Sequence, residues 1–136
     1  MGDRTSTPEE KALMQRTGSI LVVDDEPDTV DLIRLTLETA GFTVAQALDG
    51  TTAIQMLEQD HYDVLLLDIM MPEMSGFDVV VQLRDRQIPV PPLIFLTARK
   101  RSEDRQAGED IGAVGYLTKP ATRGDLLDTI DRAMKG

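Results

Sequence analysis

Three carboxylates and a lysine, each at the end of a strand-like run, are the residues of this chain best suited to chemistry. The run Ile20, Leu21, Val22, Val23 ends on Asp24 and Asp25, and Val64, Leu65, Leu66, Leu67 ends on Asp68. Side by side in one parallel sheet, the two runs would gather these acids at its carboxyl edge, where open α/β folds bind ligands. Like charges about 5 Å apart repel by roughly 3 kcal/mol at an effective dielectric of about 20, so stability alone does not place them there. Any single Asp has a plainer reading as a cap or dipole partner of the next helix. That reading does not explain why two separate strands end alike. Thr97 closes a further apolar run, and Lys119, followed by Pro120, closes another. Three acids and one lysine leave room for a hard divalent ion such as Mg2+, which takes a few carboxylates together with waters and phosphate oxygens. A carboxylate nucleophile, such an ion and a lysine suffice for phosphoryl transfer, which asks a protein mainly to position groups and neutralise charge.

Positioning those groups falls to an alternation of strands and helices from Ser19 onward, the signature of a parallel sheet with helices on its faces. Strands are expected to centre on Leu21 to Val23, Val44 to Gln46, Val64 to Leu67, Leu93 to Leu96 and Gly115 to Leu117. The middle runs are apolar on both sides of the pleat, as strands buried on both faces should be. Val30, Ile33, Leu37 and Ala40 recur at helical spacing before a stop at Gly41. Ala53, Ile54 and Leu57 mark the inner side of a second helix from about Thr52 to Gln59. Phe77 to Arg84 should be a third, although Val79, Val80 and Val81 are poor helix formers, because two parallel strands need a crossover there. A fourth, Ser102 to Ile111, is interrupted by Gly108 and offers only Ala107 and Ile111 as an apolar stripe, so it should be the most mobile element. The last begins near Thr122, with Leu126, Leu127, Ile130, Ala133 and Met134 on its buried side.

The chain has 136 residues, enough for one domain with its own core. Residues 1–18 form an N-terminal extension, in which Thr7, Pro8 and Glu10 fit the start of a short helix through about Arg16 as well as they fit a frayed tail. A net charge of -10, from 24 acidic and 14 basic residues, argues against direct nucleic-acid binding and favours cations or basic partner surfaces. With no cysteine, disulfides and thiolate metal sites are excluded. No membrane span or secretory signal is evident, which makes the cytoplasm the expected location.

Asp24 and Asp25 after the first strand, Asp68 after the third, Thr97 after the fourth, and Lys119 with Pro120 after the fifth together resemble the receiver domain of two-component response regulators. The chain is similar to single-domain chemotaxis-type regulators, and the similarity covers about Ser19 to Met134. It implies a flavodoxin-like doubly wound α/β fold with five parallel strands in the order 2-1-3-4-5 and five helices, occupying residues 19–136. By the same resemblance, Asp68 would accept a phosphoryl group from a histidine kinase or histidine phosphotransfer protein. Asp25, Asp68 and the backbone carbonyl of Met70 would bind Mg2+ directly, and Asp24 through a water. Lys119 would pair with the phosphoryl group, Thr97 would swing its hydroxyl onto it, and Tyr116 would turn inward as an aromatic switch. The Lys119–Pro120 bond would be cis, whereas base rates alone favour trans. Such a protein is a phosphoacceptor that promotes its own phosphorylation and is not a turnover enzyme. It would act on a downstream protein target, or on an output domain beyond residue 136.

Other residues read as structural. Glu26 and Asp28 suit the first turn of the first helix better than a metal, His61 reads as a surface residue, and Met70, Met71 and Met74 read as loop and packing residues. Pro72 and Gly76 shape the loop after Asp68, with Gly76 in a conformation closed to other residues. Departures from the family matter too. Met70 and Arg99 stand two residues beyond Asp68 and Thr97, where neither readily orients water, so self-dephosphorylation should be slow. Gly112 to Gly115 lacks the acidic pair used by many DNA-binding regulators to dimerise, and Ala121 replaces a frequent phenylalanine. The competing reading is an Asp-nucleophile phosphatase or phosphotransferase of the haloacid dehalogenase type, which usually carries a second acid where this chain has Met70.

Overall fold

The computed structural model describes residues 16–98 and 102–135, with side chains from residue 105 in the second stretch. Strands β1 (Ser19–Val23), β2 (Thr43–Ala47), β3 (Val64–Asp68), β4 (Leu93–Thr97) and β5 (Gly115–Thr118) are all parallel and lie in the order β2-β1-β3-β4-β5. Helices α1 (Pro27–Thr39), α2 (Gly50–Gln59), α3 (Gly76–Asp85) and α4 (Ser102–Asp110) make the crossovers, and α5 (Arg123–Lys135) follows β5. This is the flavodoxin-like doubly wound α/β fold expected from the sequence. The chain goes outward from β1 to β2 and then returns to place β3 on the other side of β1. At that switch point Val23 pairs with Leu67, so the acids that follow emerge side by side.

Strand periodicity splits the core in two. Leu21, Val23, Leu65, Leu67 and Phe95 pack on one face with Ala53, Ile54, Val79, Val80 and Leu83 of α2 and α3. Ile20, Val22, Val64, Leu66, Ile94 and Leu96 pack on the other with Val30, Ile33 and Leu37 of α1 and Leu126, Leu127, Ile130 and Ala133 of α5. Each inner strand is thus buried on both faces, which is why its sequence shows no polar alternation.

Local signals set most helix boundaries. Gly41, at φ 111°, ends α1 in a region that glycine alone enters freely. α2 starts two residues earlier than its apolar spacing suggests, because the Asp49 side chain accepts from the Thr52 amide at 2.7 Å and caps it. The valines of α3 are overruled by a capping box: Ser75 accepts from the Asp78 amide while Asp78 accepts from the Ser75 amide.

Three expectations fail. Gly76 is not in the left-handed region, which in that loop belongs to Glu73 at φ 68°. Gly76 is needed for close approach, since a Cβ there would lie 2.5 Å from the Asp68 carbonyl oxygen. Ala107 of α4 is exposed, and the buried residue is Gly108, where a Cβ would lie 3.0 Å from Phe95 Cδ2. The glycine taken for an interruption is the contact itself. Met134, expected on the buried side of α5, is 37% exposed, and the helix's last buried residue is Ala133. The expected helix ending at Arg16 lies outside the described residues, apart from Arg16 itself.

Candidate functional site

Each acid of the site is fixed by the backbone around it. Asp24 continues β1 and is fully buried, with its amide donating to the Ala47 carbonyl at 3.2 Å. Its Oδ1 accepts from the Glu26 amide at 3.0 Å, and its Oδ2 accepts from Lys119 Nζ at 2.7 Å. Asp68 ends β3 at 2% exposure, and its Oδ1 accepts from the Met70 amide at 3.2 Å. Asp25 is half-buried beside them. One oxygen from each of Asp24, Asp25 and Asp68 falls within a single cluster whose members lie within 4.8 Å of one another.

Lys119 reaches this cluster from β5. Its amide donates to the Thr97 carbonyl at 2.7 Å, and the Lys119–Pro120 bond is cis, as the resemblance implies. Nζ lies 3.6 Å from Asp68 Oδ2, beyond hydrogen-bond length, so the lysine rests on Asp24 and only leans towards Asp68. Burial, and next the negative charge of Asp24, push the Asp68 carboxyl up to about 7, against the opposing pull of Lys119 and the Met70 amide. Burial works against the charge on Lys119, yet its hydrogen bond to Asp24 and the charges of Asp68 and Glu26 win, and its pKa is raised. Lys119 therefore stays cationic across the neutral range.

The charge balance suits a divalent ion. With Asp68 ionised, the three acids against Lys119 leave two negative charges, and the donors are all hard oxygens. Oxygens up to about 4.2 Å apart can share one Mg2+, twice its metal–oxygen distance of about 2.1 Å, so a small closing movement brings the cluster to fit.

The remaining predicted residues sit around this centre. Thr97 is fully buried at the end of β4, one residue beyond Leu96, the register partner of Asp68. Tyr116 stands further back, paired with Phe95, and is half-buried. The Arg105 guanidinium of α4 lies over its ring, 5.8 Å from the centroid. Met70 has a side chain 48% exposed, in keeping with a loop role. His61 projects into solvent, with Nε2 3.4 Å from Asp63 Oδ1. Arg99 lies outside the described residues.

Sequence reading missed two participants. Glu26 Oε1 lies 3.5 Å from Lys119 Nζ, so this residue joins the ion-pair network instead of merely opening α1. Arg105 was missed because α4 was read for apolar contacts. The acidic step Asp24, Asp25, Glu26 held the first signal, and the helical offset of Arg105 from Gly108 held the second.

A profile of the response regulator receiver domain matches residues 20–131. The probable transcriptional regulatory protein TcrX of Mycobacterium tuberculosis is 41% identical over 102 residues, covering 75% of this chain and 43% of that protein. A 14.6 kDa protein of Leptolyngbya boryana is 41% identical over 116 residues, covering 83% of this chain and 87% of that one. The chain spans less than half the length of the transcriptional regulators it matches. The solved structure of the chemotaxis protein CheY4 of Vibrio cholerae superposes with a TM-score of 0.79 at 33% identity, covering 87% of this chain and 99% of that one.

Proposed function

The chain belongs to the response regulator receiver domain family, and on that premise we propose that Asp68 accepts a phosphoryl group from a histidine kinase or histidine phosphotransfer protein. One observation carries the assignment: Asp68 is the strand-end acid whose carboxylate shares a 4.8 Å cluster with Asp24 and Asp25 and faces Lys119 at 3.6 Å. A carboxylate oxygen of Asp68 attacks phosphorus, a P–O bond forms as the P–N bond of the phosphohistidine breaks, and the imidazole leaves with the electron pair. Asp24, Asp25, Asp68 and the Met70 carbonyl would hold Mg2+, which supplies charge neutralisation for the phosphoryl oxygens. Ionised Asp68 is the nucleophile, and a cation beside it counters the burial that holds its pKa near 7.

Lys119 then moves from Asp24 towards the new phosphoryl oxygens. Thr97 and Tyr116 follow, shifting the β4–α4 and β5 surfaces between two arrangements with different affinity for a downstream protein or an attached output domain. In this reading residues 19–136 are the receiver domain and 1–18 its extension, and the protein works in the cytoplasm. No described helix is long and apolar enough to cross a membrane. With Met70 and Arg99 at the two positions beyond the acceptor and Thr97, the phosphorylated form is expected to lose phosphate slowly. The haloacid dehalogenase reading is set aside, since the family match is to receivers and Met70 supplies no second acid.

Incubation with Mg2+ and acetyl phosphate, followed by intact mass, tests the assignment. One phosphate-sized increment per chain is expected, absent in Asp68→Asn and after chelation. Labelling of Asp68→Asn at the parent rate, or steady turnover of a generic phosphomonoester, would overturn it.

A further inference from the structure

The amino edge of the sheet, opposite the acidic cluster, carries a second feature for which the phosphoacceptor chemistry has no use. A cavity of about 590 Å³ opens there, lined by residues that precede β3 and β4 and by the end of α5. Its floor is apolar, from Leu57, Pro91, Pro92 and Met134. Its charged lining is acidic: Glu58, Asp60 and Asp63, with no lysine or arginine. Five-residue strands separate it from the phosphorylation edge by about 17 Å.

Tyr62 makes this more than a dent with acids at its rim. The residue lines the cavity at 7% exposure, and its hydroxyl has no hydrogen-bond partner among the described residues. Buried tyrosine hydroxyls nearly always find one. Burial, and then the nearby Asp60 carboxylate, push the phenol's pKa up, so the hydroxyl is held protonated as a donor. Asp63 is already engaged with the Ser19 amide at 2.8 Å and with His61. Glu58 and Asp60 are exposed and form no ion pair among the described residues, so the cavity offers a donor, two accessible carboxylates and apolar lining.

We propose that this cavity binds a basic peptide segment of a partner protein, Tyr62 donating to a peptide carbonyl, Glu58 and Asp60 receiving an arginine or lysine, and the prolines and Met134 covering an adjacent apolar side chain. A peptide supplies all three complements on one backbone. The volume lies within the usual range of ligand pockets, about 300–1,000 Å³. The site is independent of phosphorylation at Asp68.

The test follows amide resonances of the ¹⁵N-labelled full chain in saturating Mg2+, which occupies the competing acids at the other edge. The probe is acetyl-Leu-Arg-Leu-amide, compared with its citrulline counterpart. Saturable shifts confined to residues 57–63, 90 and 134 are expected, with the citrulline peptide about tenfold weaker, the factor that corresponds to 1.4 kcal/mol. Glu58→Gln combined with Asp60→Asn should weaken binding as much. Tyr62→Phe should weaken it severalfold without lowering Tm, because no bond within the fold is lost. Absence of saturable shifts, equal binding of the citrulline peptide, or a lowered Tm for Tyr62→Phe overturns the proposal. So does movement of the same resonances by Arg4→Gln with Lys11→Gln in the absence of peptide, which would assign the cavity to the chain's own first residues.

Discussion

Helices α4 and α5 each follow a strand that ends at the site, yet they are held to the sheet by opposite means. α5, after Lys119, buries Leu126, Leu127, Ile130 and Ala133. α4, after Thr97, shows one buried position among its described side chains, Gly108, with Arg105 over Tyr116 as its further contact. Burying an aliphatic side chain contributes roughly 1.5–3 kcal/mol, whereas an exposed cation–π contact contributes about 0.5–1 kcal/mol. The lysine is thus followed by a firmly packed helix and the threonine by a loosely held one. A switch needs both, a fixed charge to receive the phosphoryl group and a low-stability element that can respond.

The largest effect should come from the fixed side. Replacing Lys119 by Met leaves Asp24 and Asp68 buried without their cation, and breaking a buried pair from one side costs about 3–5 kcal/mol. Urea unfolding of the metal-free protein should show that loss, and Mg2+ should recover part of it. Thr97→Ala, which deletes one buried hydroxyl, should cost about 1–2 kcal/mol. Equal losses for the two would erase the distinction between the supports.

Packing gives the next contrast. Ile130→Ala empties part of the α5 core and should cost about 3 kcal/mol, within the usual range for such truncations. Ala107→Ser, on the exposed side of α4, should change stability by less than about 0.5 kcal/mol. An apolar stripe through Ala107, as the sequence suggests, would instead make that serine costly.

That disagreement shows how legibility varied along the chain. α5 and the inner strands were readable because their burial is written in large apolar side chains at regular spacing. The site acids were readable because charges at two strand ends have no structural reason to coincide. α4 was misread because its contact with Phe95 is made by a residue with no side chain, and a hydrophobic pattern does not register a missing Cβ. Gly76 was misread for the converse reason, since glycine signals either a special φ or a close approach and sequence does not separate the two. Glu26 on Lys119 depends on bringing residues 93 positions apart together, which no local pattern reports.

The third prediction concerns pH and sharpens the role of the fixed charge. The folded metal-free protein holds the Asp68 proton up to about pH 7, against 3.8 for the ordinary carboxyl. Between those values the native state binds more protons than the unfolded chain, so this group's contribution falls as pH rises and levels off above 7. Asp68→Asn should therefore gain on the parent progressively from pH 4 to 7. Three units correspond to about 4 kcal/mol, and an imperfectly paired buried amide returns some of it, leaving a gain of about 2 kcal/mol at pH 8. Mg2+ should narrow the gap by stabilising the ionised parent. A gap constant with pH would place the raised pKa elsewhere.

The smallest effect probes the loose side directly. Arg105→Ala removes the cation over the Tyr116 ring, a contact worth about 0.5–1 kcal/mol at an exposed site. Global stability should barely move, because α4 opens at lower cost than the whole domain. Native-state hydrogen exchange resolves this: α4 amides should exchange roughly two- to fivefold faster in the variant, while α5 amides, which exchange through global unfolding, stay at the parent rate. Loss of the cation and a loosened helix should also shift the Tyr116 resonances without phosphorylation. Equal acceleration in α4 and α5 would mean that the two helices open as one unit, and the responsive element would then have to be sought in the loop after Asp68, where Gly76 presses against the acceptor's own carbonyl.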